Sequence, residues 1–171
     1  MGDFVIGIIM GSDTDLPVMT EAGKTLEKFG VAYEMEVISA HRAPARTHEY
    51  ASTAVSRGLK AIIVGAGGAA HLAGVVASLT TLPVIGVPMA TTALNGMDSL
   101  LAIVQMPAGI PVATMAIDKA GAVNAAIFAL QILGLSDVRV AEKLIAHKKD
   151  LAASVAEKNS RLQAELGKRR G

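Results

Sequence analysis

Val37-Ile38-Ser39-Ala40-His41-Arg42-Ala43-Pro44 is a passage from strand to helix. Val37 and Ile38 read as the end of a buried strand and Ser39–Ala43 as a tight polar turn. Pro44 opens a helix, where its missing N–H needs no partner. The turn sets a hydroxyl, an imidazole and a guanidinium side by side at a strand's carboxyl end. In an open α/β sheet that edge is where ligands bind. Imidazole suits proton transfer near neutral pH, and a fixed cation suits phosphate.

The same passage recurs along the chain. Phe4–Met10 is a continuous apolar run, hence a buried strand, and Gly11–Asp15 a turn into a helix over Leu16–Phe29 that Gly30 ends. Val31–Ile38 is the second strand, and its helix runs from Pro44 to about Arg57. Ala61–Val64 is the third strand, opening into Gly65-Ala66-Gly67-Gly68-Ala69-Ala70-His71 and a small-residue helix to about Leu79. Pro83–Val87 and Val112–Ala116 are the fourth and fifth strands, with helices near Met97–Gln105 and Lys119–Leu133. Strand and helix alternate, so the expected fold is α/β. We expect a flavodoxin-like, doubly wound, five-stranded parallel sheet in order 2-1-3-4-5, with helices on both faces.

The tail after Gly134 differs. Asp137–Gly171 is charged and helix-forming, and Leu144, Leu151, Val155, Leu162 and Leu166 make a heptad-like stripe. The chain is therefore read as a catalytic domain over residues 1–136 and a helical extension over 137–171, which either docks on its own sheet or, the preferred reading, packs on a neighbouring subunit in an oligomer.

Composition narrows the function. Of the 171 residues 51% are hydrophobic, and the net charge is +1, so nothing attracts nucleic acid or an anionic membrane. Aromatic residues are 3%, too few for a base-stacking platform. With no cysteine, disulfides and thiolate chemistry are excluded, which fits a reducing, cytoplasmic setting. Met1-Gly2-Asp3-Phe4 puts no basic region ahead of the apolar run, which speaks against a secretory signal. Ala61–Met97 lacks Asp, Glu, Lys and Arg, yet Pro83, Pro88, Asn95 and many glycines break it into strand-sized pieces rather than one membrane span. So much apolar surface points to burial between subunits.

The turns after the first three strands meet in one crevice in this strand order. In the first, Ser12 and Asp15 stand out, although helix capping accounts for one member of the polar cluster. The third turn satisfies G-x-G-x-x-[GA], but Ile85–Ala90 offers no acidic residue for a ribose, so a dinucleotide is not assigned. Its glycines let a backbone approach a ligand closely. Of four histidines, His48 and His147 read as helix-surface residues, His71 as buried or functional, and His41 as the strongest candidate for chemistry. His41, His71 and Asp15 would number enough ligands for a catalytic zinc, but no close-spaced pair supports it and no metal is assigned. No Walker A or G-x-S-x-G motif is present.

Together, Met10–Asp15, Ser39–Arg42, Gly65–Leu72, Asp98–Leu101, Ile103–Pro107, Ile110–Thr114 and Ala120–Ala122 resemble the class I PurE family, the N5-carboxyaminoimidazole ribonucleotide mutases of purine biosynthesis. The resemblance covers about residues 5–135. It departs at Ala43, where Thr is usual, and at Ala73 and Val75, where Pro and Met are usual.

What it implies is a carboxyl transfer from N5 to C4 of aminoimidazole ribonucleotide, through release and recapture of CO2, without a cofactor. His41 becomes the general acid/base. Ser12 and Arg42 fall on the phosphate and Asp15 on the ribose hydroxyls. Ser39, Gly67, Gly68, Ala69, His71 and Leu72 line the substrate pocket. The family's assembly is a homo-octamer. A carboxylase using free CO2 would share this base and phosphate site, and a non-catalytic nucleotide-binding module would not need His41.

Overall fold

The computed structural model describes residues 5–169; Phe4, expected to open the first strand, and the last two residues of the tail lie outside them. The five strands are β1 (Ile6–Met10), β2 (Tyr33–Val37), β3 (Ala61–Gly67), β4 (Val84–Met89) and β5 (Ala113–Thr114). They form one parallel sheet in the order β2-β1-β3-β4-β5, as the alternation predicts. Helices α1 (Leu16–Phe29), α2 (Pro44–Thr53), α3 (Leu72–Leu79), α4 (Met97–Val104) and α5 (Asp118–Gly134) follow the strands in turn, and α6 (Val138–Arg169) ends the chain. Two compact units divide within α5, after Leu130.

The central strands are apolar throughout because both their faces are covered. Ile6, Ile8, Ile9, Ile62, Ile63, Val64 and Ile85 are fully buried. Ile6 to Met10 run in register with Ala61 to Gly65, so Ala66 and Gly67 of β3 run on past the end of β1. Gly30 closes α1 at φ 70°, a left-handed conformation that suits a residue without Cβ.

Three departures from the sequence reading stand out, besides a β5 confined to Ala113–Thr114 of the expected Val112–Ala116. β2 is an edge strand, only partly buried, and Val37 is exposed. Its sequence Tyr-Glu-Met-Glu-Val alternates, and its two carboxylates pair with Arg57 and Arg46, the latter at 2.6 Å. α2 stops at Thr53 rather than near Arg57. Ser52 and Thr53 hydroxyls bond back to the carbonyls of His48 and Glu49, and turns carry the chain to Gly58 at φ 93°.

Third, β3 and β4 are longer than expected. β3 continues through Gly65, Ala66 and Gly67, and β4 through Pro88 to Met89. Proline is tolerated there for a geometric reason. Gly86 accepts the Met115 N–H on the β5 side, and alternation turns Pro88 to that same side. β5 pairs only with Ile85 and Gly86, so the absent proline N–H falls beyond its end.

In the second unit α6 is a continuous helix, and Leu151, Val155, Leu162 and Leu166 of the stripe are exposed. Among the described residues no helix is long and apolar enough to cross a membrane.

Candidate functional site

A cavity of about 360 Å³ lies where the turns after β1, β2 and β3 meet. Of the residues selected from the sequence, Ser12, Asp15, Ser39, His41, Arg42, Gly67, Ala69, His71 and Leu72 all line it. Gly68 does not; at φ 59° it lets the chain turn out of β3.

The first turn is built by Ser12. Its hydroxyl accepts from the Thr14 N–H at 3.3 Å and the Thr14 hydroxyl at 2.9 Å, and it caps a single 3-10 turn over Asp13–Asp15. Capping thus accounts for the serine, not for an aspartate. Asp15 precedes α1 without capping it and is buried, at 3% exposure. Burial pushes its carboxyl above the usual range, opposed by hydrogen bonds from Ser12 backbone and the Thr14 side chain. A buried carboxylate at a pocket wall, with no cation on it among the described residues, can accept hydroxyl donors from a ligand.

The second turn is closed by the Ala43 N–H donating to the Ser39 carbonyl at 2.8 Å. The Ser39 hydroxyl accepts from the Arg42 N–H at 3.2 Å and Arg42 Nε at 3.4 Å, so it aims the guanidinium. Arg42 Nη2 then donates to the Gly11 carbonyl at 3.2 Å, which ties the second turn to the first. Arg42 has no carboxylate partner among the described residues, and its charge remains available to an anion.

The third turn delivers His71, the residue before α3. His41 Nε2 and His71 Nδ1 are 2.9 Å apart, with the rings edge-on at 84°. One nitrogen must donate and the other accept, so the contact links the tautomers of the two rings. The pairing joins residues 30 apart in sequence and was not legible from spacing. His41, Arg42, Ala69 and His71 are exposed in the single chain. The closed pocket that a reaction releasing CO2 calls for is therefore open on one side here.

Sequence reasoning missed Thr91, which follows β4 and also lines the cavity. Its signal was faint: a threonine in an uncharged loop beyond a strand end. Among the described residues no group of three His, Cys, Asp or Glu side chains converges as a metal ion would need.

Comparison with known proteins identifies the family. The family described as AIR carboxylase matches residues 5–154. An N5-carboxyaminoimidazole ribonucleotide mutase of Pyrococcus horikoshii is 61% identical over 163 residues, 95% of this chain and 90% of that protein. The proteins of the same name from Thermotoga maritima and Bacillus subtilis are 56% and 54% identical, each over 92% of this chain. Among solved structures, Treponema denticola PurE superposes with a TM-score of 0.83 at 26% identity, over 92% of this chain and 98% of that one.

Proposed function

The chain belongs to the AIR carboxylase family, and on that premise we propose how its pocket works. The protein is an N5-carboxyaminoimidazole ribonucleotide mutase of purine biosynthesis, acting on a small nucleotide. The observation that carries the residue roles is the meeting of Ser12, Asp15, His41, Arg42 and His71 around one cavity.

Arg42 and Ser12 hold the substrate phosphate, and Asp15 accepts the ribose hydroxyls. The bond from N5 to the carboxyl carbon breaks, CO2 is held in the pocket, and C4 attacks it. N5 gains a proton and C4 loses one, so the net change is a proton moved from C4 to N5. His41 is the general acid/base for that transfer, and its contact with His71 at 2.9 Å fixes ring orientation. Gly67, Ala69 and Leu72 form a wall without charge that suits retention of CO2. The proposal needs no cofactor and no metal.

The working unit is a homo-oligomer, which we take to be the octamer. Exposed Met97, Leu101 and Val104 on α4 support this, as does the exposed stripe of α6. A neighbouring subunit would also close the open side of the pocket. Residues 1–136 then form the catalytic domain, with 137–171 as an extension packing in the assembly, and the setting is cytoplasmic.

The test is turnover of the N5-carboxylated ribonucleotide, without ATP or added metal, in buffer carrying isotope-labelled bicarbonate. Product with little label supports the mutase. Product carrying the solution label, or formed only from the uncarboxylated ribonucleotide and CO2, is the carboxylase outcome. Binding without turnover of either is the outcome for a nucleotide-binding module. His41→Asn keeps binding and loses turnover by orders of magnitude; retained turnover would remove His41 from its role.

A further inference from the structure

We propose that the Thr91 hydroxyl donates a hydrogen bond to the carboxyl group in transit. The inference rests on the mutase reading. Thr91 lies between two anchored neighbours. The Ala90 N–H donates to Asp118 Oδ1 at 2.9 Å, and the Thr92 hydroxyl to Asp98 Oδ2 at 2.5 Å. The Ser99 hydroxyl donates to the Met89 carbonyl at 2.8 Å and holds the start of the same loop. Within this braced segment the Thr91 hydroxyl alone has no partner among the described residues, and Thr91 lines the cavity. Its Oγ1 sits 2.0 Å from where a Gly67 Cβ would stand, so the glycine makes room for this side chain.

Position along the sheet decides what the hydroxyl meets. In the strand order, the groups at or just after the ends of β2, β1, β3 and β4 are Arg42, Ser12, Gly67 and Thr91. Neighbouring strands are about 4.8 Å apart, so β2 and β4 lie roughly 14 Å apart, on the order of the length of a ribonucleotide monophosphate. With the phosphate at Arg42, the imidazole and its carboxyl group extend toward β3 and β4. On that side of the cavity the lining is Ala66, Gly67, Ala69, His71, Leu72 and Thr91. Only His71 and Thr91 there have side-chain donors; His71 Nδ1 is engaged with His41, which leaves its Nε2 and the Thr91 hydroxyl to face a ligand. A carbamate, CO2 and a carboxylate offer only acceptor oxygens. A hydroxyl that rotates follows such a group from N5 to C4.

The experiment compares the parent with Thr91→Val, which keeps the shape, and Thr91→Ser, which keeps the hydroxyl. Each is assayed with the N5-carboxylated ribonucleotide in isotope-labelled bicarbonate, with thermal melting as a check of folding. Thr91→Val should lower kcat roughly 10- to 100-fold, the effect of losing a hydrogen bond to a charged group. KM should change less, and the fraction of product carrying solution label should rise as CO2 escapes. Thr91→Ser should restore both. Thr91→Val with parental kcat and label fraction overturns the proposal. So does Thr91→Ser behaving like Thr91→Val, because the methyl group would then be what matters. A parent that turns over neither ribonucleotide removes the mutase reading, and this assignment with it.

Discussion

Replacing Gly67 by alanine sets a methyl group against Thr91. The new Cβ would lie 2.0 Å from Thr91 Oγ1, 3.3 Å from Thr91 Cβ and 3.4 Å from Met89 Cβ. Ordinary contact begins at 3.4 Å, so the hydroxyl must retreat by about 1.4 Å. Side-chain rotation gives little relief, because a β-branched residue is stiff at χ1 and the Thr91 Cβ is itself close. The loop backbone must move instead, and the Asp118 and Asp98 hydrogen bonds resist it. Gly67 has no positive φ, so backbone strain adds nothing. Overpacking of this kind costs about 1–3 kcal/mol of stability. A displacement near 1 Å at a working site costs about 100-fold in rate, or roughly 2.7 kcal/mol of barrier. Gly67→Ala should therefore lose about two orders of magnitude in kcat/KM while remaining folded. Denaturant unfolding measured beside kcat/KM separates the two effects. In Gly67→Ala/Thr91→Ala the clash is gone, so stability returns while activity does not. Gly67→Ala with activity within twofold of the parent would refute the reasoning, since the loop after β4 could then not belong to the working pocket.

Three more expectations follow from the site and its support. Arg42→Ala should weaken binding of the ribonucleotide far more than it alters melting temperature; equal affinity by calorimetry would take Arg42 off the phosphate. Asp15→Asn should raise stability at neutral pH while impairing ligand binding. A raised carboxyl pKa means that the folded state holds the proton more tightly, so the ionised group costs stability at neutral pH and the cost vanishes below the ordinary value of 3.8. Melting curves from pH 7 downward check this, and a gap between variant and parent that does not narrow on acidification contradicts it. The Tyr50 hydroxyl is buried and makes no hydrogen bond of ordinary geometry among the described residues, although the Glu34 carboxylate and the Arg57 guanidinium act on it and that guanidinium lies 4.5 Å from the ring centre. Tyr50→Phe should leave stability unchanged or raise it by about 1 kcal/mol in urea unfolding; a loss of that size would mean the hydroxyl is satisfied.

The sheet order was legible because each link is local. Apolar runs of strand length alternate with helical periodicity, and the connection rules leave few arrangements. The extent of β3 was not legible. Gly65, Ala66 and Gly67 have the composition of a turn, and pairing with Val87, Pro88 and Met89, with Met10 on the other side of Gly65, keeps them extended. The partial exposure of β2 was written in its alternating glutamates, but the apolar residues around them outweigh that signal when each strand is read alone. At the site, residue types at strand ends brought Ser12, His41 and Arg42 forward. The His41–His71 contact and the place of Thr91 depend on how separate turns approach each other, which spacing along one chain does not encode.

The edge strand has a thermal consequence. The turn carrying His41 and Arg42 hangs between β2 and α2, and two ion pairs, Glu36 with Arg46 and Glu34 with Arg57, span that same gap. Hydration of charged groups becomes less favourable on heating, so the desolvation that opposes such pairs shrinks as temperature rises. Apolar packing gains no comparable advantage. The mounting of His41 therefore tightens, relative to the rest of the sheet, in the range where the sheet begins to loosen. High salt works the other way, screening the exposed Arg46 pair first.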